Sequence, residues 1–154
     1  MKKRFASGFS LVELTLALGV ASFCLIALFG LMPVGIQTNR NATSQTAATN
    51  IMGAVVADLR ATPTCVGTST EYQITLGTGP GCPSTVSPAP ATLYFDGTGQ
   101  FSTSLGTNSR YQLNITWYGS TGLRYADVKV TWPAAATPGN ASGSTEMFAA
   151  LDRN

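Results

Sequence analysis

The residue types that could do chemistry in this 154-residue chain are few, and their spacing suits no catalytic arrangement. The chain has no histidine, which excludes a Ser-His-Asp triad, a Cys-His dyad and a histidine-ligated metal. Beyond the first 33 residues the acids are scattered, without the pairing that carboxylate catalysis needs: Asp58, Glu71, Asp96, Asp127, Glu146 and Asp152. Residues 96–99 (DGTG) predict a turn, because a calcium loop needs several oxygen ligands at close spacing. We expect no catalytic activity, no cofactor and no metal site.

One acid, Glu13, lies where a carboxylate is unfavourable. It belongs to the apolar run Phe9–Met32, which as a helix is about 36 Å long, and a bilayer core of about 30 Å needs about 20 such residues. A carboxylate costs about 2.5–3.5 kcal/mol at the centre of a membrane span and less near its end, so we expect a partner for Glu13. The basic residues Lys2, Lys3 and Arg4 should stay on the cytoplasmic side, which places the C-terminal part of the chain outside.

Three simpler explanations of this apolar run are a secretory signal, a lipoprotein signal and a plain signal anchor. A secretory signal has a shorter apolar stretch of about 7–15 residues followed by a small-x-small cleavage site, which residues 29–33 do not offer. A lipoprotein signal needs small residues before the lipidated cysteine, whereas Phe23 precedes Cys24. A plain signal anchor remains open, although it gains nothing from Glu13.

Residues 8–13 read Gly-Phe-Ser-Leu-Val-Glu after a short basic leader, and this segment resembles the cleavage and methylation signal of type IV prepilins and type II secretion pseudopilins. The resemblance implies that a prepilin peptidase cuts between Gly8 and Phe9, and that the new N-terminal residue, Phe9, is N-methylated. It also implies an assembly role for Glu13, whose carboxylate would pair with the N-terminal amine of a neighbouring subunit. Such a pair is a physical reason for a buried carboxylate, because a cation meets it in a low dielectric.

The same resemblance implies four segments: a leader peptide over 1–8, a transmembrane and filament-core helix over 9–32, an outer amphipathic helix over 33–61 and an exported β domain over 62–154. The expected fold class is α+β, a pilin-like lollipop in which a long N-terminal helix packs on a small antiparallel β-sheet.

The implied partners are prepilin peptidase, other pilin or pseudopilin subunits bound through the N-terminal helix, and the inner membrane. The precursor would cross that membrane once, with its C-terminal domain periplasmic or extracellular, before the subunit enters a filament. Beyond Pro33 the chain carries six basic and six acidic residues. With this balance we expect no nucleic-acid partner.

Hydrophobic periodicity predicts the helix in more detail. One long helix is expected from Phe9 to Ala61, with a kink near Pro33, which removes a backbone donor. The outer half of this helix carries an apolar stripe that would pack on the β domain. The stripe consists of Ile51, Met52, Val55, Val56 and Leu59. The pair Thr62-Pro63 ends the helix, since the residue before a proline avoids the helical region.

Alternating apolar residues after residue 62 predict short strands of an antiparallel sheet with one buried face. The predicted strands are Glu71–Leu76, Thr92–Phe95, Arg110–Tyr118, Arg124–Trp132 and Met147–Leu151. A hairpin loop over 119–122 joins the third and fourth of these strands, and residues 133–144 form a loop rich in Ala, Gly and Pro.

The three cysteines divide by position. Cys24 lies in the apolar helix and is expected to behave as a small apolar residue. Cys65 and Cys82 lie in the exported part, where disulfides persist, and a bond between them would contribute about 3 kcal/mol by closing a glycine-rich loop. Two free thiols remain the alternative to this disulfide.

The subtype and one rival function stay open. The C-terminal hairpin, residues 131–133 (TWP) and the chain length resemble minor pseudopilins of the I and V kinds, and also the Verrucomicrobia-type prepilin-like cassette protein B. The expected function is that of a structural filament subunit, a minor pilin or pseudopilin. The alternative is a signal-anchored periplasmic or extracellular binding module, which predicts no processing at Gly8 and no requirement for Glu13.

Overall fold

The computed structural model of the chain describes residue 8 and residues 10–63, 66–76, 88–119, 124–137 and 139–151. These residues form one helix and five strands: α1 (Leu11–Ala61), β1 (Ala91–Phe95), β2 (Phe101–Ser102), β3 (Tyr111–Tyr118), β4 (Arg124–Trp132) and β5 (Gly143–Leu151). The expected α+β class, a long N-terminal helix with an antiparallel sheet, is confirmed. The chain divides into two compact units, Met1–Arg40 and Asn41–Asn154, so the C-terminal part of α1 belongs to the same unit as the sheet.

Helix α1 is continuous, and Pro33 lies inside it. Its predicted end at Ala61 is confirmed. The backbone N–H and the hydroxyl of Thr62 both donate to the Asp58 carbonyl, at 3.0 and 2.7 Å, and complete the last turn. The start predicted at Phe9 lies outside the described residues, and the described helix begins at Leu11. The kink expected near Pro33 stays a prediction.

The five strands form one antiparallel sheet in the order β2-β1-β3-β4-β5. The strands predicted over Thr92–Phe95, Arg110–Tyr118 and Arg124–Trp132 are confirmed to within one residue at each end. Strands β3 and β4 pair directly, as the predicted hairpin requires, and residues 120–122 of the predicted loop lie outside the described residues. The sheet therefore follows the alternation of apolar and polar residues along the chain.

The core of the second unit lies between the end of α1 and one face of the sheet. The predicted helical stripe is buried, together with Ala48. The sheet contributes the inward side chains of four strands, which are Leu93, Phe95, Tyr111, Leu113, Ile115, Ala126, Val128, Val130, Ala149 and Leu151. Burial of a large apolar side chain contributes about 1.5–3 kcal/mol, so this layer of helix on sheet is the main source of stability of the unit.

The strand predicted over Glu71–Leu76 is wrong. Residues 70–72 form a turn, Gln73 has a positive φ of 52°, and the described residues here make one isolated bridge in place of a ladder. The side chains of Ile74 and Leu76 are nevertheless buried. The alternation correctly identified core residues, and a turn rather than a strand carries them into the core.

Strand β5 begins at Gly143, four residues before the predicted start at Met147. Gly143 pairs with Trp132 at the end of β4, and the N–H of Ser142 donates to the Trp132 carbonyl at 2.8 Å. A Cβ added to Gly143 would collide with the indole ring of Trp132. Gly143, one of the residues that made this segment resemble a loop, thus lets the strand pass the indole ring of Trp132.

Candidate functional site

The N-terminal end of α1 places Glu13 in the first helical turn. The carbonyl of Ser10 accepts hydrogen bonds from the backbone N–H groups of Glu13 and Leu14, at 3.0 and 3.1 Å. An acid in the first turn is stabilised by the helix dipole. The S-x-x-E spacing of Ser10 and Glu13 is itself a helix-start signal, which hydrophobic periodicity alone misses. Glu13 therefore occupies a defined position at the start of the apolar segment, with its side chain exposed.

The residues of the predicted processing site are only partly described. Gly8 is exposed, and no described atom lies within 4 Å of the position that a Cβ would take. Phe9, the predicted N-methylation residue, lies outside the described residues, as do Cys65 and Cys82 of the predicted disulfide. Cleavage after Gly8, methylation of Phe9 and the disulfide stay predictions.

The first part of α1 presents an unusually apolar surface. From Leu11 to Ile36 every large apolar side chain is at least half exposed, with 79% exposure for Leu11 and 50% for Ile36. Among the described residues α1 is the one helix that is long and apolar enough to cross a membrane. None of the residues in its most apolar stretch is buried. The described chain therefore has an apolar helix near its N-terminus that fits a single membrane span or a signal.

The polar side chains within this segment differ in how they are satisfied. The hydroxyl of Thr15 donates to the carbonyl of Val12 at 3.0 Å, and the hydroxyl of Ser22 donates to the carbonyl of Leu18 at 2.7 Å. Hydroxyls bonded in this way can enter an apolar environment, because the backbone of their own helix satisfies them. Among the described residues, the carboxylate of Glu13 makes neither a hydrogen bond nor an ion pair. Glu13 is thus the group of this segment that calls for a partner.

In the second unit, Asp58 ties the end of α1 to residues 66–76. Its two carboxylate oxygens accept hydrogen bonds from the N–H groups of Glu71 and Tyr72, at 3.1 and 3.2 Å. These bonds hold the turn over 70–72, and they explain why the strand predicted here does not form. Burial raises the pKa of the Tyr72 hydroxyl, and the negative charges of Glu71 and Asp58 raise it further. The sequence marked Asp58 only as one of several scattered acids.

The turn predicted over residues 96–99 is confirmed. One carboxylate oxygen of Asp96, Oδ1, accepts hydrogen bonds from the N–H and the hydroxyl of Thr98, at 2.8 and 2.7 Å, and from the N–H of Gln100 at 3.0 Å. The bond from the Thr98 hydroxyl is the main reason that the pKa of Asp96 is lowered. Asp96 therefore organises the β1–β2 connection as an anion.

The outer face of the sheet, opposite the core, carries an ion pair and, beside it, the half-buried acid Asp127. Lys129 and Glu146 face each other on β4 and β5, with 3.4 Å between Nζ and Oε2. The Oδ1 atom of Asp127 is shielded from solvent and accepts no hydrogen bond from a described residue. Burial raises the pKa of Asp127, the charge of Glu146 raises it further, and the charge of Lys129 opposes both.

Comparison with known proteins found no match to this chain. No protein-family model matches the chain, and neither a curated protein nor a solved structure matches it. Among the described residues, no group of three or more His, Cys, Asp or Glu is placed to hold a metal ion. The class that the described features define is an α+β protein with one helix able to span a membrane.

Proposed function

We propose that this chain is a structural subunit, a minor pilin or pseudopilin, of a type IV pilus-like or type II secretion filament. A prepilin peptidase cuts the precursor between Gly8 and Phe9, and the mature subunit assembles through α1. One observation carries the proposal: an exposed apolar helix with internally satisfied hydroxyls retains a single unpaired carboxylate, Glu13, in its first turn.

The physics of helix association in lipid gives Glu13 its role. Lipid tails are as apolar as leucine side chains, so burial of apolar surface distinguishes poorly between one helix register and another. Cleavage after Gly8 releases an amine at Phe9, and N-methylation leaves that amine able to carry its positive charge. The amine of one subunit then pairs with Glu13 of its neighbour, and this pair selects the register in which the helices pack. Breaking such a buried pair by removing one partner costs about 3–5 kcal/mol.

Processing is the first test. The full chain is expressed with an active prepilin peptidase and, in parallel, with an inactive one, and its N-terminus is determined by intact-mass spectrometry. We expect a product that begins at N-methylated Phe9 with the active enzyme and at Met1 with the inactive enzyme. Gly8→Val should block cleavage. The matched control is Gly19→Val, at an exposed glycine of α1 with open space around its Cβ position, which should be cleaved normally.

Two results would overturn the proposal. One is a precursor that keeps its leader in the presence of an active peptidase, and the other is cleavage that is insensitive to Gly8→Val. Either result would favour the alternative of a signal-anchored binding module, for which α1 is only a tether.

A further inference from the structure

A small pocket at the β1–β2 end of the sheet lies outside both α1 and the proposed processing site. Its cavity has a volume of about 220 Å³. The lining residues are Tyr94, Asp96, Gln100, Phe101, Ser102 and residues 106–109. This volume is below the roughly 300–1,000 Å³ of pockets for drug-sized ligands. The pocket is therefore large enough for a ligand of about one small ring.

The sheet and the core hold the walls of the pocket in place. Tyr94 on β1 pairs with Ser102 on β2. The ring of Phe101 packs edge-on against Tyr72, with 5.3 Å between ring centroids. On the opposite wall, the N–H of Gly106 donates to Ser109 Oγ at 2.9 Å. The pocket is therefore bounded by strands and by a loop with its own hydrogen bonds.

The lining combines two aromatic rings, those of Tyr94 and Phe101, with uncharged hydrogen-bonding groups. Among the described residues, the side-chain amides of Gln100 and Asn108 and the hydroxyls of Tyr94 and Thr107 make no hydrogen bond to another side chain. Gln100, Thr107 and Asn108 are exposed, and Tyr94 is half-buried, so these groups can exchange water for a ligand. Asp96 supplies one carboxylate, whose Oδ1 is already occupied by three donors. The described lining contains no lysine or arginine.

This composition excludes several ligand classes. An anion would meet a carboxylate and no cation, and a metal ion would find one carboxylate where several oxygen ligands are needed. A purely apolar ligand would make no hydrogen bond to the amides of Gln100 and Asn108, which stay exposed to water. A neutral pyranose suits all the groups, because its hydroxyls both donate to and accept from amides while its C–H face packs on an aromatic ring.

We propose that this pocket binds one neutral pyranose ring, held by the amides of Gln100 and Asn108 and stacked on Tyr94. This function is independent of filament assembly, because none of these residues lies in α1 or near Gly8. The ring would be either a free monosaccharide or the terminal unit of a glycan, and both present the same chemistry to the pocket.

The test is a nuclear magnetic resonance titration of the ¹⁵N-labelled full chain in a zwitterionic detergent without sugar head groups. Glucose, galactose and mannose are added separately, up to about 50 mM, since one ring with a few hydrogen bonds binds in the millimolar range, where 1 mM corresponds to about −4.1 kcal/mol. We expect one of the three sugars to shift the side-chain amide signals of Gln100 and Asn108 in a saturable way. The methyl glycoside of that sugar then separates the sources, because a glycan-end site accepts it and a site for the free sugar rejects it.

Two pocket variants, one control variant and inorganic phosphate as a second probe complete the test. Gln100→Ala and Asn108→Ala alter exposed residues, and each should weaken binding at least about tenfold. Gln45→Ala, which removes an exposed amide of α1, should bind as the parent chain does. Inorganic phosphate should cause no saturable shift. The proposal is overturned if none of the three sugars saturates, if both pocket variants bind normally, or if phosphate binds more tightly than every sugar. Processing after Gly8 should be normal in all variants, so failure here leaves the proposed function intact.

Discussion

Removal of the Asp58 carboxylate should loosen the junction between α1 and residues 66–76. Asp58→Ala deletes the acceptors for two N–H groups, at 3.1 and 3.2 Å. Hydrogen bonds to charged groups contribute about 1.5–3 kcal/mol each. Both bonds are long, and the one to Glu71 is exposed, so water replaces much of it. We therefore expect a loss of about 2 kcal/mol, which for a unit of this size corresponds to a fall in Tm of about 8 °C.

Tryptophan fluorescence measures this loss directly, because both tryptophans of the chain, Trp117 and Trp132, lie in the sheet. The full chain in detergent is heated, and the transition of the second unit is followed at pH 7. Asp58→Asn keeps one acceptor oxygen and should lose about half as much stability. Glu71→Ala removes an exposed neighbouring acid that supplies no such acceptor, and it serves as the control. If the Tm of Asp58→Ala equals the Tm of Glu71→Ala, the turn over 70–72 does not depend on the Asp58 carboxylate.

Three further predictions concern other parts of the chain. Because the pKa of Asp127 is raised in the folded state, its ionisation opposes folding as the pH rises through that pKa; Asp127→Asn should raise Tm at pH 7, and the gain should vanish below the usual value near 4. A gain that persists at low pH would contradict this cause. Gly143→Ala should lower stability by about 1–3 kcal/mol, because its methyl group meets the Trp132 ring, whereas Gly139→Ala, with open space around its Cβ position, should change little in the same melting experiment. Glu13→Ala should still insert and be cleaved, yet its share in purified filaments should fall at least about tenfold when quantified by mass spectrometry against the parent chain; equal incorporation would remove the role assigned to Glu13.

Much of the sheet could be predicted because its strands carry their own pattern. Along β3 and β4 apolar residues alternate with polar ones, and each inward side chain meets its neighbour in register. The segment Glu71–Leu76 has the same alternation but begins with a turn, because the N–H groups of Glu71 and Tyr72 are bonded to Asp58, 13 and 14 residues earlier in the chain. A local pattern carries no information about such a distant acceptor. The early start of β5 has a similar cause, since Gly143 suits a strand only beside Trp132.

The two candidate sites also differ in how far the sequence alone can predict them. Gly8, Phe9 and Glu13 lie within six consecutive residues, so a sequence motif suffices to propose them. The sugar pocket is assembled from β1, β2 and the loop over 106–109. In the sequence these residues resemble ordinary turn residues, and only the pairing of β1 with β2 brings Tyr94 and the amides to one cavity. Motif-based reasoning therefore proposes the processing site and misses the pocket.

The polar stretch of α1 from Gln37 to Asn50 bears on the choice between a filament subunit and a tethered module. Threonine and asparagine favour turns, because their side chains compete for backbone hydrogen bonds. Here the hydroxyls of Thr38, Thr46 and Thr49 donate to carbonyls four residues earlier, at 2.9, 3.0 and 2.9 Å, so this competition is resolved inside the helix. A tether has no need of such order, because linkers range from flexible coils to semi-rigid spacers. Helices that pack repeatedly against copies of themselves need a regular backbone, and this stretch contains neither glycine nor proline. The continuous helix is thus compatible with the proposed subunit, in which α1, rather than the β-sheet, would be the element on which assembly depends.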